Sequence, residues 1–256
     1  MKKIVLSLVA TFGLLHAQAP ATTHTAPSLH QTHWGYTGHT APQFWGTLNP
    51  KYQMCGIGQS QSPIDINPQV SVESKGLTPL NFNYHAESTE VINNGHAIQV
   101  NVDTHSSLSI DGKHFTLKQF HFHAPSENTI EGRSFPLEAH FVHLTKQGEI
   151  AVVAVLFELG EANEALQKVW DAMPKEAGEK APLSLDAKAI DSLLAKDKSY
   201  YRFSGSLTTP PCSEGVRWFV LKHYTTLSKE QLKQFRAIIH DNNRPVQPIQ
   251  ARKVLK

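Results

Sequence analysis

Gln119-Phe120-His121-Phe122-His123 is answered 17 residues further on by a third histidine, His140, within Leu137-Glu138-Ala139-His140-Phe141-Val142-His143. Successive side chains on a strand point to opposite faces, so an i, i+2 pair aims two imidazoles one way, and a hairpin brings a third beside them. Alone, such a pair in a chain with 15 histidines is more often packed or exposed than metal-binding. Its neighbours argue otherwise. Gln119 and Glu138 each lie two residues before a histidine, on the same strand faces, where an amide oxygen and a carboxylate can orient imidazole N–H groups. Three convergent neutral imidazoles suit zinc, and three protein ligands rather than four leave one tetrahedral position for water. With no anionic ligand the site keeps the metal's full charge, so the expected reagent is a metal-held hydroxide. His143 falls on the face opposite to His140 and reads as structural. The intervening stretch 124–136 contains Pro125, Gly132 and Pro136 and reads as the hairpin connection.

Working outward, Val91-Ile92, 97–102, 108–110, 114–123 and 138–144 read as short strands separated by Asn-Asn-Gly and Asp-Gly turns. Residues 150–159 are almost continuously apolar, as a strand buried on both faces requires. Helices are peripheral: Leu166, Val169, Trp170 and Met173 recur at helical spacing, and Ser228 with Gln231 forms a capping box ahead of Leu232, Phe235 and Ile238. The pattern is a single, mainly β domain.

Lys2 and Lys3, an apolar run over 4–15 and Ala17-Gln18-Ala19 give the order of a secretory signal, so residues 1–19 are expected to be removed on export to the periplasm or medium. The apolar run is too short to span a bilayer. Residues 20–33, rich in Thr, Ala, Pro and His, read as a flexible lead-in to a domain over 34–256. The full chain has 24 basic and 22 acidic residues; losing Lys2 and Lys3 leaves 22 against 22. Near-neutrality, with no Lys/Arg stripe, argues against nucleic-acid or membrane partners. Cys55 and Cys212 are the only cysteines. In an exported protein they most simply form one disulfide, the alternatives being a metal pair or two free thiols.

Ser206-Leu207-Thr208-Thr209-Pro210-Pro211-Cys212 supplies the second constellation. Together with His33-Trp34-Gly35-Tyr36, Gln61-Ser62-Pro63-Ile64, Asn93-Asn94-Gly95-His96-Ala97, Gln119 to His123, Glu138 to His140 and Asn243-Arg244-Pro245-Val246-Gln247-Pro248, it resembles the alpha class of carbonic anhydrases. The resemblance covers almost the whole chain beyond the lead-in. It implies a central twisted, mostly antiparallel sheet of about ten strands with small peripheral helices, and reversible hydration of carbon dioxide to bicarbonate.

The resemblance also assigns roles. His121, His123 and His140 are the expected zinc ligands, with Gln119 and Glu138 behind them. Thr208 is expected to donate its one proton to Glu127, leaving its lone pairs for the nucleophile. Val142, Val152, Leu207 and Trp218, with Thr209, are expected to line the carbon dioxide pocket. His96 is the expected proton shuttle, with Tyr36, Asn94 and Gln99 lining the water path. Sulfonamide and anion inhibition, assembly as a homodimer and cis bonds at Ser62-Pro63 and Pro210-Pro211 are implied too. The chain departs from many animal members in having Ala124-Pro125 for Trp-Gly, Leu144 for Trp, and Gln rather than Asn at 99.

Two other readings compete. His121, His123 and Glu127 satisfy part of a cupin metal pattern, but Phe115 stands where that pattern needs glycine. A non-catalytic zinc-binding protein on the same fold would be expected only if a zinc histidine were missing.

Overall fold

The computed structural model describes residues 33–85 and 87–256. The expected signal peptide, and all of the lead-in except His33, lie outside them. Thirteen strands are described: β1 (Asp65–Ile66), β2 (Asn81–Asn83), β3 (Ser88–Asn93), β4 (Ile98–Val102), β5 (Ser107–Ile110), β6 (Lys113–His123), β7 (Thr129–Ile130), β8 (Leu137–Leu144), β9 (Ile150–Leu159), β10 (Lys180–Pro182), β11 (Tyr200–Ser206), β12 (Glu214–Leu221) and β13 (Thr225–Leu227). Five short α-helices accompany them: α1 (Trp45–Leu48), α2 (Met54–Ile57), α3 (Glu164–Ala172), α4 (Ala187–Ser192) and α5 (Lys229–Arg236). The main sheet has 11 strands, with the central path β10-β3-β4-β6-β8-β9-β12-β11. Its pairings are antiparallel except those of β9 with β12 and β13. No described helix is long and apolar enough to cross a membrane.

Each face of the sheet carries a core, and β9 divides itself between them. Ala151, Val153, Val155 and Phe157 join the larger core, which includes α3 and α5 residues, while Val152, Ala154 and Leu156 join the smaller one. That is why its sequence is an unbroken apolar run rather than an alternation. The capping box of α5 is formed as read: Ser228 Oγ accepts from Gln231 N, and the Gln231 side chain accepts from Ser228 N.

β6 is not a uniform strand. Leu117 pairs with His143 but Gln119 pairs with Val142, so Lys118 is an extra residue, exposed at a bulge. A bulge shifts the alternation by one. Before it, Phe115 and Leu117 enter the larger core; after it, Phe120 and Phe122 do. Gln119, His121 and His123 are thereby turned to the other face.

The 124–136 connection is more ordered than a plain hairpin loop. It contains β7, which pairs in parallel with β1 as a separate two-stranded sheet, and Asp65 accepts bonds from Thr129 Oγ1 and Gly132 N. Ser62-Pro63 and Pro210-Pro211 are cis as expected, and Ala124-Pro125 is cis as well.

Candidate metal centre

Sheet register assembles the site as adjacent rows. Gln99, His121, His140 and Ala154 are successive cross-strand partners over β4, β6, β8 and β9. The neighbouring row runs Gln119, Val142, Val152, Trp218, from β6 to β12, and on the other side His123 pairs with Glu138. Cross-strand partners share a face. The histidines and the apolar wall therefore lie side by side. Val152 and Trp218 are buried, with Val142 and Leu207 packed against the same smaller core, and Trp218 meets the His140 ring edge-on at 4.9 Å.

Each histidine has one nitrogen fixed. His121 Nδ1 bonds Gln119 Oε1 at 2.8 Å, His140 Nε2 bonds Glu138 Oε1 at 2.9 Å, and His123 Nδ1 bonds the main-chain oxygen of Asn242 at 2.7 Å. The remaining nitrogens, Nε2 of His121 and His123 and Nδ1 of His140, are free to converge, and one ligand atom from each residue lies within 4.8 Å of the others. Burial is the main cause holding all three imidazoles below their usual range; mutual repulsion adds to it for His121 and His140. They are accordingly neutral, the form that ligates a metal. His123 Nε2 is buried and without a hydrogen-bond partner, an arrangement that a cation satisfies and an empty core does not. The donor set fits a metal ion with three protein ligands.

Glu138 does more than orient His140. Its Oε2 accepts from the main-chain N–H of Glu127 (2.7 Å) and Asn128 (2.8 Å), and Oε1 accepts from Asn128 Nδ2 at 2.7 Å. One buried carboxylate thus folds the turn that presents Glu127. Glu127 Oε1 accepts from Arg244 N at 2.8 Å, and Oε2 lies 3.6 Å from His123 Nε2 and 3.9 Å from His140 Nδ1. Burial pushes its carboxyl up to about 8, against the opposing pull of the Arg244 N–H and the nearby Thr208 hydroxyl. A cation among the imidazoles favours the ionised form.

The Thr208 loop is clamped from several sides. Cys55 and Cys212 are disulfide-bonded; Gln61 Nε2 donates to Cys212 O at 3.0 Å, and Ser62 and Ser206 exchange bonds between main-chain N and Oγ. A Cβ at Gly205 would lie 2.1 Å from Ser62 Oγ and 2.9 Å from the Trp218 ring, so any larger residue there forces the loop or its clamp to shift. Arg244, 1 % exposed, donates to Gln61 Oε1, Ser62 O and Cys55 O.

His96 sits in a turn in which Asn94 Oδ1 accepts from His96 N and Ala97 N, with Gly95 at φ +84°. Its ring stacks on Trp34 at 3.7 Å between centroids and lies 5.4 Å from His33. Burial first, then His33, hold the imidazole below its ordinary range. Asn94 Nδ2 donates to Gln99 Oε1 at 3.4 Å and Gln99 Nε2 donates to Asn101 Oδ1 at 2.8 Å, whereas the Tyr36 hydroxyl is buried without a partner. His143 lies on the opposite face, as read, and bonds Tyr84 Oη through Nε2 at 2.8 Å.

Asn242 is the residue the sequence reading missed. Besides accepting from His123, it accepts from Ala124 N at 2.8 Å and donates to Phe122 O and His96 O, both at 2.9 Å. A main-chain acceptor has no sequence signature; only its place beside the quoted Asn243-Arg244-Pro245 segment pointed to this neighbourhood.

Comparison with known proteins agrees with this geometry. A family profile described as eukaryotic-type carbonic anhydrase matches residues 40–256. The chain is 48% identical to a carbonic anhydrase of Neisseria gonorrhoeae over 228 residues, covering 88% of each. It is 44% identical to that of Pectobacterium carotovorum over 232 residues, covering 90% of this chain and 93% of the relative. Among solved structures, the alpha-carbonic anhydrase of Thermovibrio ammonificans, in complex with sulfanilamide, superposes with a TM-score of 0.85 at 52% identity, over 88% of this chain and 99% of that one. With three inward histidines on a shared sheet face and a match along nearly the whole described chain, the protein belongs to the eukaryotic-type, or alpha, carbonic anhydrase family and is an enzyme of reversible carbon dioxide hydration.

Proposed function

We propose that His121 Nε2, His123 Nε2 and His140 Nδ1 hold a zinc ion, and that the residues around them divide the reaction as follows. The observation that carries this is the pairing of each imidazole's other nitrogen with a fixed acceptor, which leaves three neutral nitrogens aimed at one point. When bound, the metal lowers the pKa of a water molecule to about 7, the value established for carbonic anhydrases themselves. Thr208 gives its single proton to Glu127, so a lone pair of its oxygen receives the proton of the attacking nucleophile and fixes its direction. Val142, Val152, Leu207 and Trp218, with Thr209, present carbon dioxide with an apolar surface that does not compete for hydrogen bonds. His96 takes the proton released in each hydration, and Tyr36, Asn94 and Gln99 line its path.

Catalysis resides in residues 34–256. Lys2, Lys3, the apolar run over 4–15 and Ala17-Gln18-Ala19 support export, and the Cys55–Cys212 disulfide suits an oxidising compartment. Inhibition by sulfonamides and small anions, and assembly as a homodimer, complete the reading.

Metal analysis combined with stopped-flow hydration of carbon dioxide, before and after chelation, tests it. One zinc per chain is expected, with activity lost on chelation and restored by zinc. His121→Ala, His123→Ala and His140→Ala should each lose metal and rate together; full activity in a variant that binds no metal overturns the ligand assignment.

A further inference from the structure

A run of polar side chains on β3 and β4 leads from the edge of the sheet toward the histidines. Glu90 and Asn101 are cross-strand partners, and the next partner across is Gln119, which orients His121. Lys180, on the edge strand β10, lies 3.0 Å from Glu90 Oε2. Asn101 Nδ2 donates to Glu90 Oε1 at 2.9 Å, Gln99 Nε2 donates to Asn101 Oδ1 at 2.8 Å, and Asn94 Nδ2 donates to Gln99 Oε1 at 3.4 Å. One hydrogen-bond direction is thus passed from an ion pair at the sheet edge to the turn that carries His96.

We propose that Glu90 is a positioning residue for proton export, which sets the direction in which the Gln99 amide faces the water path; this rests on the roles proposed above for His96, Asn94 and Gln99. A carboxylate only accepts, whereas a primary amide donates on one side, accepts on the other and takes its direction from its partners. Asn101 must therefore turn its NH₂ to Glu90 and its oxygen to Gln99. Gln99 must answer with its own NH₂, which leaves its oxygen for Asn94. Asn94 cannot adapt, because its Oδ1 already accepts from His96 N and Ala97 N, so only Nδ2 is left to face Gln99. With the opposite direction two NH₂ groups would meet there, and the turn over 94–97 would lose its hydrogen bond to Gln99. The bond from Lys180, then that from Asn101, hold the Glu90 carboxyl below its ordinary range, so it stays acceptor-only at neutral pH.

Exchanging the two charges tests it. Glu90→Lys/Lys180→Glu keeps an ion pair at the edge but presents Asn101 with an ammonium, which only donates; Lys180→Met breaks the ion pair and keeps the carboxylate. In the zinc-loaded, isotope-labelled protein, nuclear Overhauser contacts of the Gln99 NH₂ read its direction, and stopped-flow hydration in dilute buffer is compared with bicarbonate exchange. In the exchanged pair the Gln99 NH₂ should move its contacts from Asn101 to Asn94. Hydration in dilute buffer should fall several-fold, with exchange retained and the rate restored by concentrated imidazole. Lys180→Met should change neither the contacts nor the rates. Unmoved NH₂ contacts in the exchanged pair, or a Lys180→Met enzyme as slow in hydration as the exchanged pair, overturns the proposal. So do reversed contacts with full hydration in dilute buffer, in an enzyme that His96→Ala does slow. If His96→Ala does not slow it, the shuttle reading fails by itself, and the NH₂ contacts alone decide whether Glu90 sets Gln99.

Discussion

The side-chain amide of Asn242 donates to the main-chain oxygen of His96 at 2.9 Å. The main-chain oxygen of the same residue receives His123 Nδ1 at 2.7 Å. A single residue, 2% exposed, therefore joins the turn that carries the shuttle candidate to a candidate metal ligand.

Asn242→Asp keeps the main-chain acceptor and one side-chain oxygen but loses both donated bonds, leaving two carbonyls unpartnered. Each unsatisfied buried group costs about 1–3 kcal/mol. Denaturant unfolding should show that loss while metal content stays at one per chain. Hydration in dilute buffer should fall more than bicarbonate exchange, since only the former needs the net proton export proposed for His96. An equal fall in both rates would mean that Asn242 acts on the metal side alone.

In the proposed reading, Thr208→Ala removes the group that orients the nucleophile, not the source of the nucleophile. Metal content should be unchanged and kcat/KM for hydration reduced on the order of 100-fold, the scale of misplacing a reacting group. Unchanged kinetics would remove the role proposed for Glu127 as well, because that role runs through this hydroxyl.

His96→Ala separates proton export from chemistry. A donor of pKa near 7 giving its proton directly to water is limited to about 10³ per second, so maximal hydration in dilute buffer should drop toward that ceiling while exchange is largely kept. Concentrated imidazole should restore much of the rate. Hydration unaffected in dilute buffer would place the export route elsewhere.

His143 contributes to acid sensitivity with a definite sign. Burial lowers its imidazole to about 4, whereas in the unfolded chain it titrates near its ordinary value of about 6.5. Between these values the unfolded state binds a proton that the folded state refuses, so stability is whole above about 6.5 and declines as pH falls toward 4, by up to about 3 kcal/mol. Urea unfolding at pH 7 and pH 5 should show a steeper loss in the native protein than in Tyr84→Phe/His143→Leu, which removes the pair without orphaning either partner. Identical slopes would show that His143 does not titrate on unfolding.

What was legible in the sequence tracks with periodicity. β6, β8 and β9 announced themselves through alternation or an unbroken apolar run, and with them came His121, His123, His140 and two of their three orienting partners. Asn242 was hidden because a carbonyl oxygen looks the same on every residue. β1 and β7 have two residues each, too few for any period to emerge, so the sequence reads as a loop where a small parallel pair stands. His96 was placed by resemblance, but its stacking on Trp34 depends on two loops more than 60 positions apart. The Thr208 loop is held by Gln61, Ser62, Cys55 and Arg244, and side chains that reach across such distances leave no local mark.

The extra residue at Lys118 sets a parity rule for the chain. Because Phe115 and Leu117 on one side of it and Phe120 and Phe122 on the other all serve the same core, deleting Lys118 would keep every side chain of β6 yet force a choice. Either the first half of the strand or the half bearing His121 and His123 would have to turn over. A length change between Phe115 and Gln119 is therefore compatible with both core and metal only in steps of two residues. In any chain built on this sheet, an odd change there marks a protein that has given up the centre or re-formed the bulge elsewhere.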